Sequence, residues 1–284
     1  MAIDVLQDKI RKIKNPAAVC FSLDYSVVPP QYTQDVAGCG QYFVELLEAM
    51  KGLAPAVRFS FGSFCLRDGG LPLLQSLLEK ASALGYYVIL DCPEILSVAA
   101  AEQYSAILFA QNGEFSFDGI VLSAFLGSDV LKPFIARSKD CGKDVFVLIR
   151  SANKSASELQ DLLTGGRLVH TAAADVISRL GESFITRSGY SPICAVASAT
   201  APDSLRNLRE KYKHLFLLVD GFNAPGANAK NCGFAFDRLG HGALVCSDGI
   251  VSAWQTGESE DYFTAAKDAL ERMRHNLARY VTVF

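Results

Sequence analysis

AVRFSFGSFCLRDGGLPLLQSLLEKASALGYYVILD, residues 56–91, contains the unit from which the fold is read. Two β-rich apolar runs, AVRFSF (56–61) and YYVILD (86–91), flank LPLLQSLLEKASALG, whose leucines recur at helical spacing and whose last residue is glycine. A continuous apolar run describes a strand buried on both faces, as in a parallel sheet covered by helices. Glycine after the last periodic residue is a helix stop. The segment therefore reads strand, helix, strand.

The same unit recurs in both directions. Further apolar runs are AVCFSLD (18–24), DGIVLS (118–123), DVFVLI (144–149), ICAVAS (193–198), LFLLVD (215–220) and GALVCS (242–247). Helical segments between and after them include QDVAGCGQYFVELLEAM, GSDVLKPFIARSKDCG, APDSLRNLREKYKH and EDYFTAAKDALERMRHNL. Eight strand–helix units predict an α/β fold, a single (β/α)8 TIM barrel spanning residues 1–284. An open doubly wound sheet would place a glycine-rich loop after the first strand, where the chain reads DYSVVPPQY. An N-terminal helix is expected at about 2–15, and a long βα loop at 151–168 is expected to cover the mouth.

Composition sets limits on function. Half the residues are hydrophobic and the net charge is −3, from 27 basic and 30 acidic side chains, so no nucleic-acid or membrane partner is expected. The start, MAIDVLQDKIRKIKN, lacks an apolar signal core, and a cytoplasmic location is expected. Eight cysteines are scattered without a C-x-x-C pair, several within apolar runs. Neither a metal site nor a disulfide framework is expected.

Barrel active sites lie at the carboxyl ends of the strands. That rule selects Asp24, Arg58, Asp91, Arg150, Asp220 and Asp248. Arg58 is expected to bridge Asp24 and Asp91, either as part of a site or as a buried ion-pair network closing the barrel. Asp220 and Asp248 each precede glycine and read as turn residues. His170, His214, His241 and His275 fall in or beside helices or next to glycine, which disfavours a histidine-based nucleophile.

The stretches SLD (22–24), AVRFSFGSF (56–64), GYYVILD (85–91), FLGSDVLKPF (125–134), VFVLIRSANKSASELQDL (145–162), GYSPICAVASATAPDSLRNLR (189–209), LLVDGFNAPGANA (217–229) and GHGALVCSDGI (240–250) occur in that order. In them the chain resembles the orotidine 5′-phosphate decarboxylase family, in its longer bacterial group, over nearly its whole length. The resemblance implies a homodimeric, cofactor-free lyase of pyrimidine biosynthesis that converts orotidine monophosphate to UMP. It also implies an alternating lysine–aspartate array, in which a D-x-K-x-x-D segment ending strand three supplies the proton-donating lysine and an aspartate that reaches the neighbouring subunit.

Placed on this sequence, the array is largely replaced. Asp24 and Asp91 match family aspartates, Arg58 takes the strand-two lysine position, Pro93 the proton-donating lysine position and Leu96 the last aspartate position. No lysine lies between Lys80 and Lys132, and Glu94 is the alternative acid–base group. At the phosphate end, Pro225 takes a glutamine position and Asp248 an arginine position, before Gly249 and Ile250. Gly221, Asn223, Gly226, Gly249 and Ile250 are candidate ligand contacts, the glycines and Ile250 through backbone N–H groups. The pyrimidine-contacting T-S-N-P loop corresponds to SANK (151–154), with Ser151 and Asn153 polar in register.

Three functions are weighed on this pattern. One is a pseudoenzyme that binds a nucleotide or nucleotide-like molecule, or regulates a competent partner, as homodimer or heterodimer. Another is a decarboxylase with an atypical active site. The last is an enzyme with changed chemistry on a non-phosphorylated or cationic substrate.

Overall fold

The computed structural model describes residues 1–92, 94–110, 113–222, 224–257, 259 and 261–283. Ten strands occur among them: β1 (Ala17–Phe21), β2 (Ala56–Ser60), β3 (Tyr87–Asp91), β4 (Gly119–Ser123), β5 (Asp144–Leu148), β6 (Leu163–Thr164), β7 (Arg167–Leu168), β8 (Ile193–Ser198), β9 (Leu217–Asp220) and β10 (Ala243–Ser247). Eight of them close a parallel barrel in the order β1-β10-β9-β8-β5-β4-β3-β2. The excluded pair, β6 and β7, is a short antiparallel hairpin inside the 151–168 excursion. All eight apolar runs of the sequence are barrel strands, and the closed ring excludes the open sheet.

The helices are α1 (Ala2–Ile13), α2 (Val36–Ala49), α3 (Phe61–Cys65), α4 (Gly70–Ala83), α5 (Val98–Leu108), α6 (Ser128–Cys141), α7 (Val169–Gly181), α8 (Pro202–Lys211), α9 (Ala229–Gly233) and α10 (Tyr262–Ala278). Their ends follow local chemistry. The Asp35 carboxylate accepts from Gly38 N at the start of α2, Ser97 accepts from Ala100 N at α5, and Asp261 accepts from Thr264 N at α10. Each satisfies an N–H that the first helical turn leaves unpaired. None of these helices is long and apolar enough to cross a membrane.

Each strand buries both faces because it separates two cores. Val19, Phe21, Val57 and Phe59 point outward to the helices, where Phe21 stacks on Phe59 at 5.0 Å and meets Phe43 edge-on at 5.3 Å. The intervening residues, among them Ala18, Ala56, Ile89, Val121, Phe146, Val196, Leu218 and Leu244, fill the barrel interior. Burial of each large apolar side chain contributes roughly 1.5–3 kcal/mol.

Helix α1 closes the amino-terminal end of the barrel. Its stripe Ile3, Leu6 and Ile10 is fully buried and belongs to the interior core. Polar contacts fix it to residues that precede strands: Ala2 N donates to Gly142 O, Lys9 Nζ to Gly85 O, and Gly242 N to Gln7 Oε1. With that end plugged, the carboxyl ends of the strands are left as the open mouth.

Candidate functional site

Alternation along the strands decides which side chains form the floor of the mouth. One step beyond the apolar interior layer, the inward positions are Cys20 on β1, Arg58 on β2, Asp91 on β3, Leu148 on β5, Asp220 on β9 and Cys246 on β10. Above them, Ser22, Ser60, Ser151, Ala152, Asn153, Gly221, Phe222, Ala224, Ser247 and Asp248 complete a cavity of about 540 Å³. Its polar floor lies directly on the apolar interior.

Arg58 occupies the centre. One terminal nitrogen lies 2.5 Å from Asp91 Oδ2 on the adjacent strand; the other lies 2.6 Å from Asp220 Oδ1 across the barrel. Its side chain is 12% exposed and each carboxylate 21%, so all three are partly withdrawn from water. Burial alone would lower the Arg58 pKa, but the Asp220 and Asp91 charges outweigh it and hold the guanidinium well above its ordinary value. Burial pushes the Asp220 carboxyl upward against the pull of Arg58, and the nearby Asp91 charge adds to the rise. Arg58 Nε is buried without a hydrogen-bond partner, so the guanidinium is held by its two ends.

The expected bridge between Asp24 and Asp91 does not form. Past β1 the chain turns at once into a 3-10 helix at Tyr25–Val27, and Asp24 caps it, Oδ1 accepting from Ser26 N at 2.9 Å. Asp24 is exposed and takes no part in the cavity wall. Asp220 fills the role instead. The turn reading of Asp220 is corrected: it is the last residue of β9, on the inward parity of Phe216 and Leu218.

Arg150 also departs from the mouth. Its guanidinium pairs with Asp161 through two bonds of 2.9 Å and donates to Ser151 O. Gln160 Oε1 accepts from Ser151 N at 2.8 Å, and Gln160 O lies 2.9 Å from His170 Nδ1. These contacts hold the 151–168 excursion so that Ser151, Ala152 and Asn153 form one side of the cavity. Opposite, Gly221 has φ +76°, and a Cβ there would stand 2.9 Å from Ala152 Cβ. Only glycine fits both the backbone and the approach.

Of the residues expected in a site, Arg58, Asp91, Ser151, Asn153, Gly221 and Asp248 share this cavity. Glu94, Gly226, Gly249 and Ile250 do not line it, and Pro93 and Asn223 lie outside the described residues. Glu94 packs over Gly62 in α3, its pKa raised first by burial and further by the Asp91 charge. Leu96 is 76% exposed, and Pro225 is exposed outside the cavity wall. Sequence reading missed Cys20 and Cys246. In–out parity along β1 and β10, from Ala18 and Leu244, would have found both. Among the described residues no group of three His, Cys, Asp or Glu side chains could hold a metal ion.

Among the described residues, the charges on the cavity wall are one guanidinium, already doubly paired, and the carboxylates Asp91, Asp220 and Asp248. Such a wall can orient polar or cationic groups. It offers no ammonium to give up a proton, and an arginine does not ordinarily act as an acid.

No family model matches the chain. An orotidine 5′-phosphate decarboxylase of Rhodopirellula baltica is 31% identical over 212 residues, covering 73% of this chain and 70% of that protein. Another, from Clostridium botulinum strain Langeland, is 27% identical over 271 residues, covering 94% and 88%. Among solved structures, a putative orotidine 5′-phosphate decarboxylase of Streptomyces avermitilis superposes with a TM-score of 0.81 at 20% identity, over 99% of this chain and 95% of that one. A putative orotidine monophosphate decarboxylase of Toxoplasma gondii gives 0.80 at 18% identity, over 98% of each chain. These structural likenesses bear on the barrel alone, and the sequence relationship carries the assignment: the chain belongs to the orotidine 5′-phosphate decarboxylase family.

Proposed function

We propose that this chain is a decarboxylase-family barrel that binds a nucleotide or nucleotide-like molecule, without efficient decarboxylation of orotidine monophosphate. It acts as a ligand-binding or partner-regulating pseudoenzyme in the cytoplasm, as a homodimer or beside a competent relative. The observation that carries this reading is the state of Arg58, whose terminal nitrogens are both held by Asp91 and Asp220. Loss of carbon dioxide from the pyrimidine leaves negative charge at C6, which must be stabilised and then protonated. A guanidinium neutralised by two carboxylates does the first poorly and the second not at all.

The rest of the wall supports it. No lysine is among the described residues lining the cavity. Asp248 faces the cavity at the position where the family resemblance implies an arginine for phosphate. Like charges 4 Å apart repel by about 1–4 kcal/mol between bulk water and a protein surface, so a phosphate there must rely on backbone N–H groups. The test is incubation with orotidine monophosphate, following the absorbance change to UMP. No turnover above the uncatalysed rate is expected, together with a thermal shift by UMP or 6-azaUMP. Robust turnover overturns the reading.

The excess of carboxylates over cations also favours a second reading, changed chemistry on a non-phosphorylated or cationic substrate. Stabilisation by nucleosides or amines but not by nucleotides would select it.

A further inference from the structure

Cys20 and Cys246 lie on the inner faces of adjacent strands, β1 and β10, at the cavity floor. The Cys246 side chain is near enough to push the Cys20 pKa well above its ordinary value, and an Arg58 terminal nitrogen lies 3.8 Å from Cys246 Sγ. Cys39, Cys92, Cys194 and Cys232 are buried elsewhere, and none of them lines this cavity. We propose that Cys20 and Cys246 form a chelating dithiol site for trivalent arsenic compounds, arsenous acid and organic arsenoxides.

Geometry separates this ligand from the alternatives. Cys246 is in register with Ala18, and Cys20 lies two residues further along β1. Strands about 4.8 Å apart with a rise of about 3.3 Å per residue place the two Cα atoms about 8 Å apart. A disulfide requires a separation below about 7 Å, so direct oxidation to a bond is disfavoured. An atom inserted between the sulfurs adds the length of a second bond and relieves the mismatch. Zinc wants four ligands, and among the described residues no group of three His, Cys, Asp or Glu side chains is placed to hold a metal ion. Trivalent arsenic takes two protein thiols and completes its three bonds with a carbon or oxygen of its own.

The chemistry consumes thiols as thiols. Two As–S bonds form; an arsenoxide loses its oxygen with both S–H protons as one water, and arsenous acid loses two As–OH bonds, each hydroxyl leaving with one S–H proton as water. Arsenic stays trivalent and nothing is oxidised. The contact with Cys246, together with burial, keeps Cys20 protonated, which this reaction tolerates. Arg58 stands 3.8 Å from Cys246 Sγ but is already paired with Asp91 and Asp220, so the exchange relies on the two thiols themselves. The adduct lies beside Arg58 at the cavity floor and would displace whatever the mouth holds. The site does not depend on the proposed function, because the thiols are present whether or not a nucleotide binds.

The test uses the whole protein with phenylarsine oxide and intact mass spectrometry. One adduct is expected, heavier by the reagent less one water, reversed by 2,3-dimercaptopropanol but not by an equivalent monothiol. Cys20→Ala and Cys246→Ala should each weaken it by about a hundredfold, since a second intramolecular bond is worth that in effective concentration. Cys65→Ala, which removes an exposed thiol, should leave it unchanged. Digestion of the wild-type adduct should yield the β1 and β10 peptides joined, a readout that holds even where a variant misfolds. An adduct that survives both substitutions, or that joins any other cysteine pair, overturns the proposal.

Discussion

Arg58 and Asp220 stand on strands β2 and β9, separated in the ring by β1 and β10, and their side chains meet at 2.6 Å across the barrel mouth. The pair is a strut as well as a neutralised charge. Asp220→Ala should leave Arg58 tied to Asp91 and in contact with Cys246, and should destabilise the protein by about 1.5–3 kcal/mol, the scale of one lost hydrogen bond to a charged group. Replacing Arg58, Asp91 and Asp220 together by Met, Asn and Asn should recover most of that loss. Urea unfolding of both variants checks this; a loss below about 0.5 kcal/mol for Asp220→Ala would reduce the strut to a surface-type ion pair.

The tie was only half legible in the sequence. The barrel could be read because eight apolar runs alternating with helical segments leave few architectures, and Arg58 and Asp91 could be read from strand-end positions. Asp24 defeated that logic because a terminal carboxylate can turn back onto its own backbone, and Ser26 N offers a partner two residues away. Asp220 was hidden by the glycine that follows it, which signals a turn whether or not the preceding side chain faces inward. Partners across the ring, such as Arg58 and Asp220 at 162 residues apart, are set by barrel closure and leave no local signature.

At the opposite end, Asp144 is fully buried at the start of β5. Tyr87 donates to one of its oxygens at 2.6 Å, and the other has no partner. Burial, reinforced by the Asp118 charge, holds the Asp144 pKa well above its ordinary value even against the Tyr87 bond. A raised carboxyl pKa means that the folded state binds the proton more tightly. Its contribution is fully present below the unfolded value near 3.8 and is lost as pH rises through the folded one. Asp144→Asn removes the buried ionisable carboxyl while leaving an oxygen to accept from Tyr87, and should therefore flatten this component of the pH profile and raise stability at neutral pH. Thermal denaturation of wild type and variant from pH 4 to 8 tests it. A stability difference that does not change with pH would sink the assignment.

Gly221→Ala should cost about 1–2 kcal/mol from the left-handed backbone alone. The added methyl would also press on Ala152 and shift the wall that carries Ser151 and Asn153. Binding of any ligand in the mouth should weaken more than stability does. Parallel measurements of unfolding and of nucleotide-induced thermal shift separate the two effects. Unchanged ligand response would mean that this wall is not used.

Arg150→Lys keeps the charge and removes the fork. The two bonds to Asp161 need a planar donor pair, and a lysine ammonium makes one contact in its place. The excursion from 151 to 168 should loosen without global unfolding, seen as faster limited proteolysis within the β6–β7 hairpin. Hydrogen exchange of Ser151 N, now bonded to Gln160, should quicken in step. Protection equal to wild type would show that Gln160 and His170 hold the loop without Arg150.

Leu6→Ala in α1 tests the plug at the end remote from the mouth. Leu6 is fully buried in the interior core, so the truncation should cost about 2–5 kcal/mol. The cavity lies beyond an intervening apolar layer that includes Ile89, Val121 and Leu218. Ligand binding in the mouth should therefore persist at temperatures where the variant is folded. If Leu6→Ala abolished binding while the circular dichroism spectrum stayed native, the interior would be transmitting strain along the barrel axis, and plug and mouth could not be treated as separate parts.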